Sequence, residues 1–125
     1  MSGARPLVAI VDDDPELLES LEELLESAGY AALTFSSAYE LLASGLKGLD
    51  LLITDIDIPG MDGFELRDIT IRVRPELPVF LITGRHEIVD QDRGPGISRF
   101  FRKPFDAQAL LVALGEALTE RGNVG

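Results

Sequence analysis

Cysteine is absent from the 125 residues, which excludes a disulfide framework and thiol chemistry but identifies no compartment. Basic side chains are scarce: 11 Lys and Arg stand against 22 Asp and Glu, a formal net charge of -11. Affinity for nucleic acid comes largely from neutralising phosphates with Lys and Arg, so direct nucleic-acid binding is not expected. Long apolar runs are also missing, and nothing approaches the length of a membrane span. The first run, Leu7 to Val11, ends in three acids. The stretch MSGARPLVAIVDDD is therefore expected to be neither a secretory signal nor a membrane anchor, and the chain is expected in the cytoplasm. Internal repeats and low-complexity tracts are absent too.

What is present is ordinary for a globular protein: 46% hydrophobic and 26% charged residues. At this length the simplest organisation is a single domain, able to bury about two thirds of the surface its unfolded chain exposes. Its core is expected over about residues 7–119, with 120–125 a flexible tail or the start of a linker.

Five short apolar runs alternate with amphipathic segments. Leu7 to Val11 predicts a first strand. Asp14-Pro15 predicts an N-cap followed by proline at the first helical position, and Leu17, Leu21, Leu24, Leu25 and Ala28 recur at helical spacing before Gly29 stops the helix. Ala31 to Phe35 predicts a second strand. Ser37 and Glu40 have capping-box spacing, with Tyr39, Leu42, Ala43 and Leu46 as the expected apolar side of a second helix. Asp50 to Thr54 predicts a third strand ending at Asp55, before a tight loop forced by Pro59, Gly60 and Gly63. Phe64 to Val73 predicts a third helix, with Leu66, Ile69 and Val73 inward. Val79 to Thr83 and the Phe100-Phe101 core predict the last two strands. Asp106 is placed to cap a final helix carrying Leu110, Leu111, Leu114 and Leu118. Between Arg85 and Gly96 the helical pattern is weak and Gly94-Pro95-Gly96 interrupts it, so a helix there is expected to be short or irregular.

Strict alternation predicts a parallel sheet with helices on both faces, because parallel strands need crossovers. The common five-stranded, doubly wound order is 2-1-3-4-5. That order sets the first and third strands side by side, so Asp12, Asp13 and Asp55 converge at the topological switch point. Two unit charges about 4 Å apart repel by roughly 4 kcal/mol at an effective dielectric near 20. A bound cation relieves that cost, and hard oxygen donors with room for water favour magnesium. The side chains of Asp14 and Asp57 have simpler readings, as a helix cap and a turn residue. Thr83 and Lys103 end strands on the same side of the sheet. A hydroxyl and an ammonium facing a carboxylate and a metal suit phosphoryl transfer to an aspartate.

Four stretches carry a family likeness from Leu7 to about Leu118: IVDDD at Ile10 to Asp14, TDIDIPGMDG at Thr54 to Gly63, LITG at Leu81 to Gly84 and RKPF at Arg102 to Phe105. In this order and spacing the chain resembles the receiver domain of two-component response regulators. The resemblance implies a flavodoxin-like receiver fold and a phosphorylation-dependent switch. Asp55 would be the phosphoacceptor, charged by a phosphohistidine on a sensor histidine kinase or phosphotransfer protein. Asp13 would ligate magnesium directly, Asp12 through water and Asp57 through its backbone carbonyl. Thr83 and Lys103 would contact the phosphoryl group, and Phe100 sits where the family often has a rotating aromatic. Pro104 would follow a cis peptide bond. Asp57 and Arg85 occupy positions that modulate dephosphorylation. Output would pass to a downstream protein or an effector domain. The departure from the family is Asp90 to Gly96, about two residues short of the usual pattern.

Two rival readings use the same residues. A haloacid-dehalogenase-type phosphohydrolase would pair Asp55 with Asp57, but that pair lies on the third strand and the chain lacks room for a cap domain. A flavodoxin-like cofactor protein needs a Ser/Thr/Gly-rich phosphate loop where this chain has Asp-Asp-Asp-Pro, which repels phosphate.

Overall fold

The computed structural model describes residues 5–84, 98–103 and 106–122. Strands β1 (Leu7–Val11), β2 (Ala31–Phe35), β3 (Leu51–Asp55), β4 (Val79–Thr83) and β5 (Ser98–Arg102) form one sheet in the order β2-β1-β3-β4-β5, and every pairing is parallel. Four helices are found among the described residues: α1 (Pro15–Ser27), α2 (Ala38–Ser44), α3 (Gly63–Val73) and α4 (Ala107–Gly122). The expected strand order is borne out. The expected irregular helix between β4 and β5 lies outside the described residues.

Side-chain alternation along each strand builds two apolar layers. Ala9, Val11, Leu52, Val79 and Leu81 face one way, against Ala38 and Leu41 of α2 and Leu66 of α3. Val8, Ile10, Leu51, Ile53, Phe80 and Ile82 face the other way, against Leu21 and Leu25 of α1 and Leu110 and Leu114 of α4. β3 and β4 are buried along their whole length. Fully burying a Leu, Ile or Val contributes about 1.5–3 kcal/mol, so these two strands carry a large share of the sheet's apolar stabilisation.

Several local expectations are corrected by packing. Tyr39 does not face the core but is 57% exposed; with the helix capped at Ser37, the inward positions are Ala38 and Leu41. Glu40 does not close a box on Ser37. Its carboxylate accepts from the backbone N–H and hydroxyl of Ser36 instead, and these bonds lower its pKa, while Ser37 Oγ still caps the Glu40 N–H. Val73 is exposed because the chain turns at Arg74, and Leu77 fills the core in its place. Arg74 fixes that turn by donating from Nη1 to the carbonyls of Leu46 (2.8 Å) and Leu49 (2.9 Å). Asp50 stands before β3, its Oδ2 accepting the Leu7 N–H at 2.7 Å. Asp55 is inside the strand rather than beyond it, because its neighbour Ile82 continues the ladder. Helix α4 extends through Gly122, past the expected start of a tail.

Gly63 starts α3 flush against the end of β3. A β-carbon there would stand 2.6 Å from the Asp55 carbonyl oxygen and 2.7 Å from Ile56 Cα. Inside a helix alanine normally exceeds glycine by about 1 kcal/mol, but here backbone occupies the space. Gly63→Ala is expected to destabilise the fold by roughly 2 kcal/mol or more, measured by urea denaturation. A variant as stable as the parent would contradict this packing.

Candidate functional site

The C-terminal ends of β1, β3, β4 and β5 meet at one edge of the sheet. Asp12 follows β1, and its N–H donates to the Phe35 carbonyl at 3.1 Å, holding it as a continuation of the ladder. Its Oδ1 accepts the Asp14 N–H at 2.9 Å. Asp14 in turn caps α1, accepting from the Glu16 N–H at 3.0 Å, as expected. Between them Asp13 is exposed, while Asp12 and Asp55 are buried. Carboxylate oxygens of Asp12, Asp13 and Asp55 lie within 4.8 Å of one another. Sequence-distant acids therefore converge as the strand order requires.

Lys103 enters from the end of β5. Its backbone N–H donates to the Thr83 carbonyl at 2.8 Å, which anchors it to the end of β4. Its Nζ donates to Asp12 Oδ2 and to Asp55 Oδ2, both at 3.3 Å. Burial pulls the Lys103 pKa down, but the charges of Asp55 and Asp12 outweigh it, and the net direction is up. Asp12 is also raised, chiefly by burial and further by the Asp55 charge, against the Asp14 N–H and Lys103, which lower it. Two of the three clustered carboxylates thus share one ammonium. Such an all-oxygen cluster fits a hard divalent cation.

The remaining expected residues are distributed around this centre. Asp57 is exposed at the rim, and its N–H points at Asp55 Oδ1 at 3.4 Å. Thr83 is fully buried at the end of β4. Phe100 is half-buried in the α2 and α3 layer, its ring centroid 6.4 Å from that of Phe64. Arg67 completes a row there, its guanidinium carbon 5.3 Å from the Phe64 centroid. Arg85 and Pro104 lie outside the described residues. Sequence reasoning missed the Asp62–Glu65 capping box, which is closed in both directions. Its Asp-x-x-Glu spacing was a usable signal. It also missed Arg67, for which periodicity gave no sign.

A family profile described as the response regulator receiver domain matches residues 8–115. The chain belongs to that family. The C4-dicarboxylate transport transcriptional regulatory protein DctD of Rhizobium meliloti (strain 1021) is 37% identical over 123 residues, covering 95% of this chain but 26% of that protein. The receiver thus spans about a quarter of the length of this relative. Among solved structures, a CheY-like receiver domain protein from Methanospirillum hungatei JF-1 has a TM-score of 0.89 at 30% identity, covering 98% of this chain and 100% of that one. The BeF3-activated DrrB receiver domain has a TM-score of 0.83 at 25% identity, covering 92% and 98%. Receiver domains are signalling domains rather than turnover enzymes, which sets the hydrolase reading aside. No helix among the described residues is long and apolar enough to cross a membrane.

The raised Asp12 pKa has a definite sign in stability. Below its ordinary value of 3.8, folded and unfolded chains both hold the proton. As pH rises above that value the unfolded chain releases it first, so stability falls until the folded-state pKa is passed, and the cost then persists. Asp12→Asn removes this cost while keeping an acceptor for the Asp14 N–H. In metal-free buffer at neutral pH the variant is expected to be more stable than the parent, with the gap closing toward pH 4. Equal stability across this range in denaturant titrations would contradict it.

Proposed function

We propose that this receiver domain is a phosphorylation-dependent switch whose acceptor is Asp55. The reading is carried by one observation: Lys103 Nζ stands 3.3 Å from both Asp55 Oδ2 and Asp12 Oδ2. An ammonium held there balances part of the charge on a nucleophilic carboxylate and on the oxygens of an arriving phosphoryl group. In the proposed reaction an Asp55 oxygen attacks the phosphorus of a phosphohistidine on a sensor kinase or phosphotransfer protein. The new P–O bond forms as the P–N bond breaks, and the electron pair leaves with the imidazole nitrogen.

Magnesium is the cation proposed for the acidic cluster, with Asp13 as a direct ligand, Asp12 acting through water, Asp55 itself, and the Asp57 carbonyl. When bound it would neutralise the carboxylates and the phosphoryl oxygens. The Thr83 hydroxyl would donate to a phosphoryl oxygen, and Phe100 would report the change through its contact with Phe64. The Asp57 side chain, exposed at the rim, would pair with Arg85 to obstruct attacking water. Differential affinity of the two conformations for the phosphoryl group then sets the output, passed to a protein partner or to an effector domain. DctD, named as a transcriptional regulatory protein, supports an output of the second kind.

Incubation with a small acyl-phosphate donor and magnesium is expected to add one phosphoryl group by intact mass. Beryllofluoride at a hundredfold above its dissociation constant should stabilise the fold by about 2.7 kcal/mol. Both effects should vanish in Asp55→Asn. Labelling that survives in that variant would overturn the assignment of the acceptor.

A further inference from the structure

Tyr39 is a large aromatic residue standing in solvent on the first turn of α2, although the core has inward positions on both sides of it. Its location is explained by what lies beneath it. A β-carbon on Gly60 would stand 2.8 Å from Tyr39 Cε2, 3.6 Å from its hydroxyl oxygen and 3.7 Å from Cζ. No other residue supplies one of the three nearest atoms. The ring fills the space that a side chain at position 60 would need. Gly60 also has φ +84°, a conformation that favours glycine.

Gly60 is the apex of the loop that leaves Asp55. The two ends of that loop are fixed by other means. Ile58 is buried in the core, and the Gly63 N–H donates to the Ile56 carbonyl at 2.9 Å. At the far end Asp62 caps α3. Pro59 and Gly60 between them are exposed. The loop also carries Asp57, whose N–H reaches Asp55 Oδ1 only at 3.4 Å, a length at which a small displacement breaks the bond.

We infer that Tyr39 is a positioning residue for the Asp55 site, bracing the apex of the Asp57–Asp62 loop from the neighbouring helix. Nothing in the family likeness bears on this position; the assignment comes from the contact with Gly60, and its functional part rests on Asp55 being the phosphoacceptor. The brace acts through ring area. The hydroxyl lies farther than the ring edge from where a β-carbon on Gly60 would stand, so phenylalanine should serve as well.

The test uses backbone order parameters from amide relaxation, together with beryllofluoride affinity in magnesium. In Tyr39→Ala the amides of Gly60 and Met61 should fall from a rigid value near 0.85 toward 0.6, with α1 and α3 unchanged. Beryllofluoride should bind roughly tenfold more weakly. Tyr39→Phe should match the parent in both measurements. Tyr39→Ser, which also removes the ring and leaves the loop sequence untouched, should behave like Tyr39→Ala and serves if that variant folds poorly. Unchanged order parameters in Tyr39→Ala would overturn the brace. Loosening of the loop with unchanged beryllofluoride affinity would overturn its positioning role. Failure of the parent protein itself to bind beryllofluoride would count against the Asp55 reading, while the relaxation data would still decide whether Tyr39 holds the loop.

Discussion

The Lys103 ammonium, shared between two buried carboxylates, is the interaction on which the site depends. Its backbone is tied to β4 and its side chain reaches the ends of β1 and β3. One residue therefore joins the C-terminal ends of four strands whose sequences are far apart. Without it, Asp12 and Asp55 would face each other largely desolvated, an arrangement that proteins tolerate only when the charges are paired or bound to a metal. With it, the compensation is partial, since Asp13 adds a further carboxylate. The site is held together, yet left with a surplus of negative charge that a cation would relieve.

The rest of the fold keeps this balance in place. The central strands are buried on both faces, so the positions of Asp55 and Thr83 are set by packing rather than by the polar groups themselves. Gly63 then brings α3 against the carbonyl of Asp55, leaving no space for a side chain. Around this centre the rim is open to solvent, where Asp57, Pro59 and Gly60 are exposed. A buried acceptor beside an exposed loop suits a switch, because a charge change at the centre can be relayed to contacts at the rim.

Much of this was legible in the sequence, for physical reasons. The central strands, buried on both faces, read as continuous apolar runs, and the shorter signals for β2 and β5 also became strands. The alternation of strands and helices constrained the sheet order, and the order brought Asp12, Asp13 and Asp55 together. What could not be read was which side of a short helix faces inward. Over the seven residues of α2, Tyr39 and Leu41 fit two competing apolar stripes, and only the cap at Ser37 and the space beside Gly60 decide between them. Arg67 was hidden for a related reason: a charged residue on a helix normally signals solvent, whereas its guanidinium lies over the Phe64 ring and bonds to Asp68. Local hydrogen bonding also redirected Glu40 to Ser36, an exchange between neighbouring partners that spacing does not distinguish.

The central claim is that Lys103 and the strand order make Asp55, among three crowded carboxylates, the one that carries the phosphoryl group. Borohydride reduces an aspartyl phosphate to homoserine, which marks the modified position permanently. Peptide sequencing of the phosphorylated and reduced protein should find homoserine at position 55 alone. Homoserine at position 12 or 13, with Asp55 intact, would contradict the account.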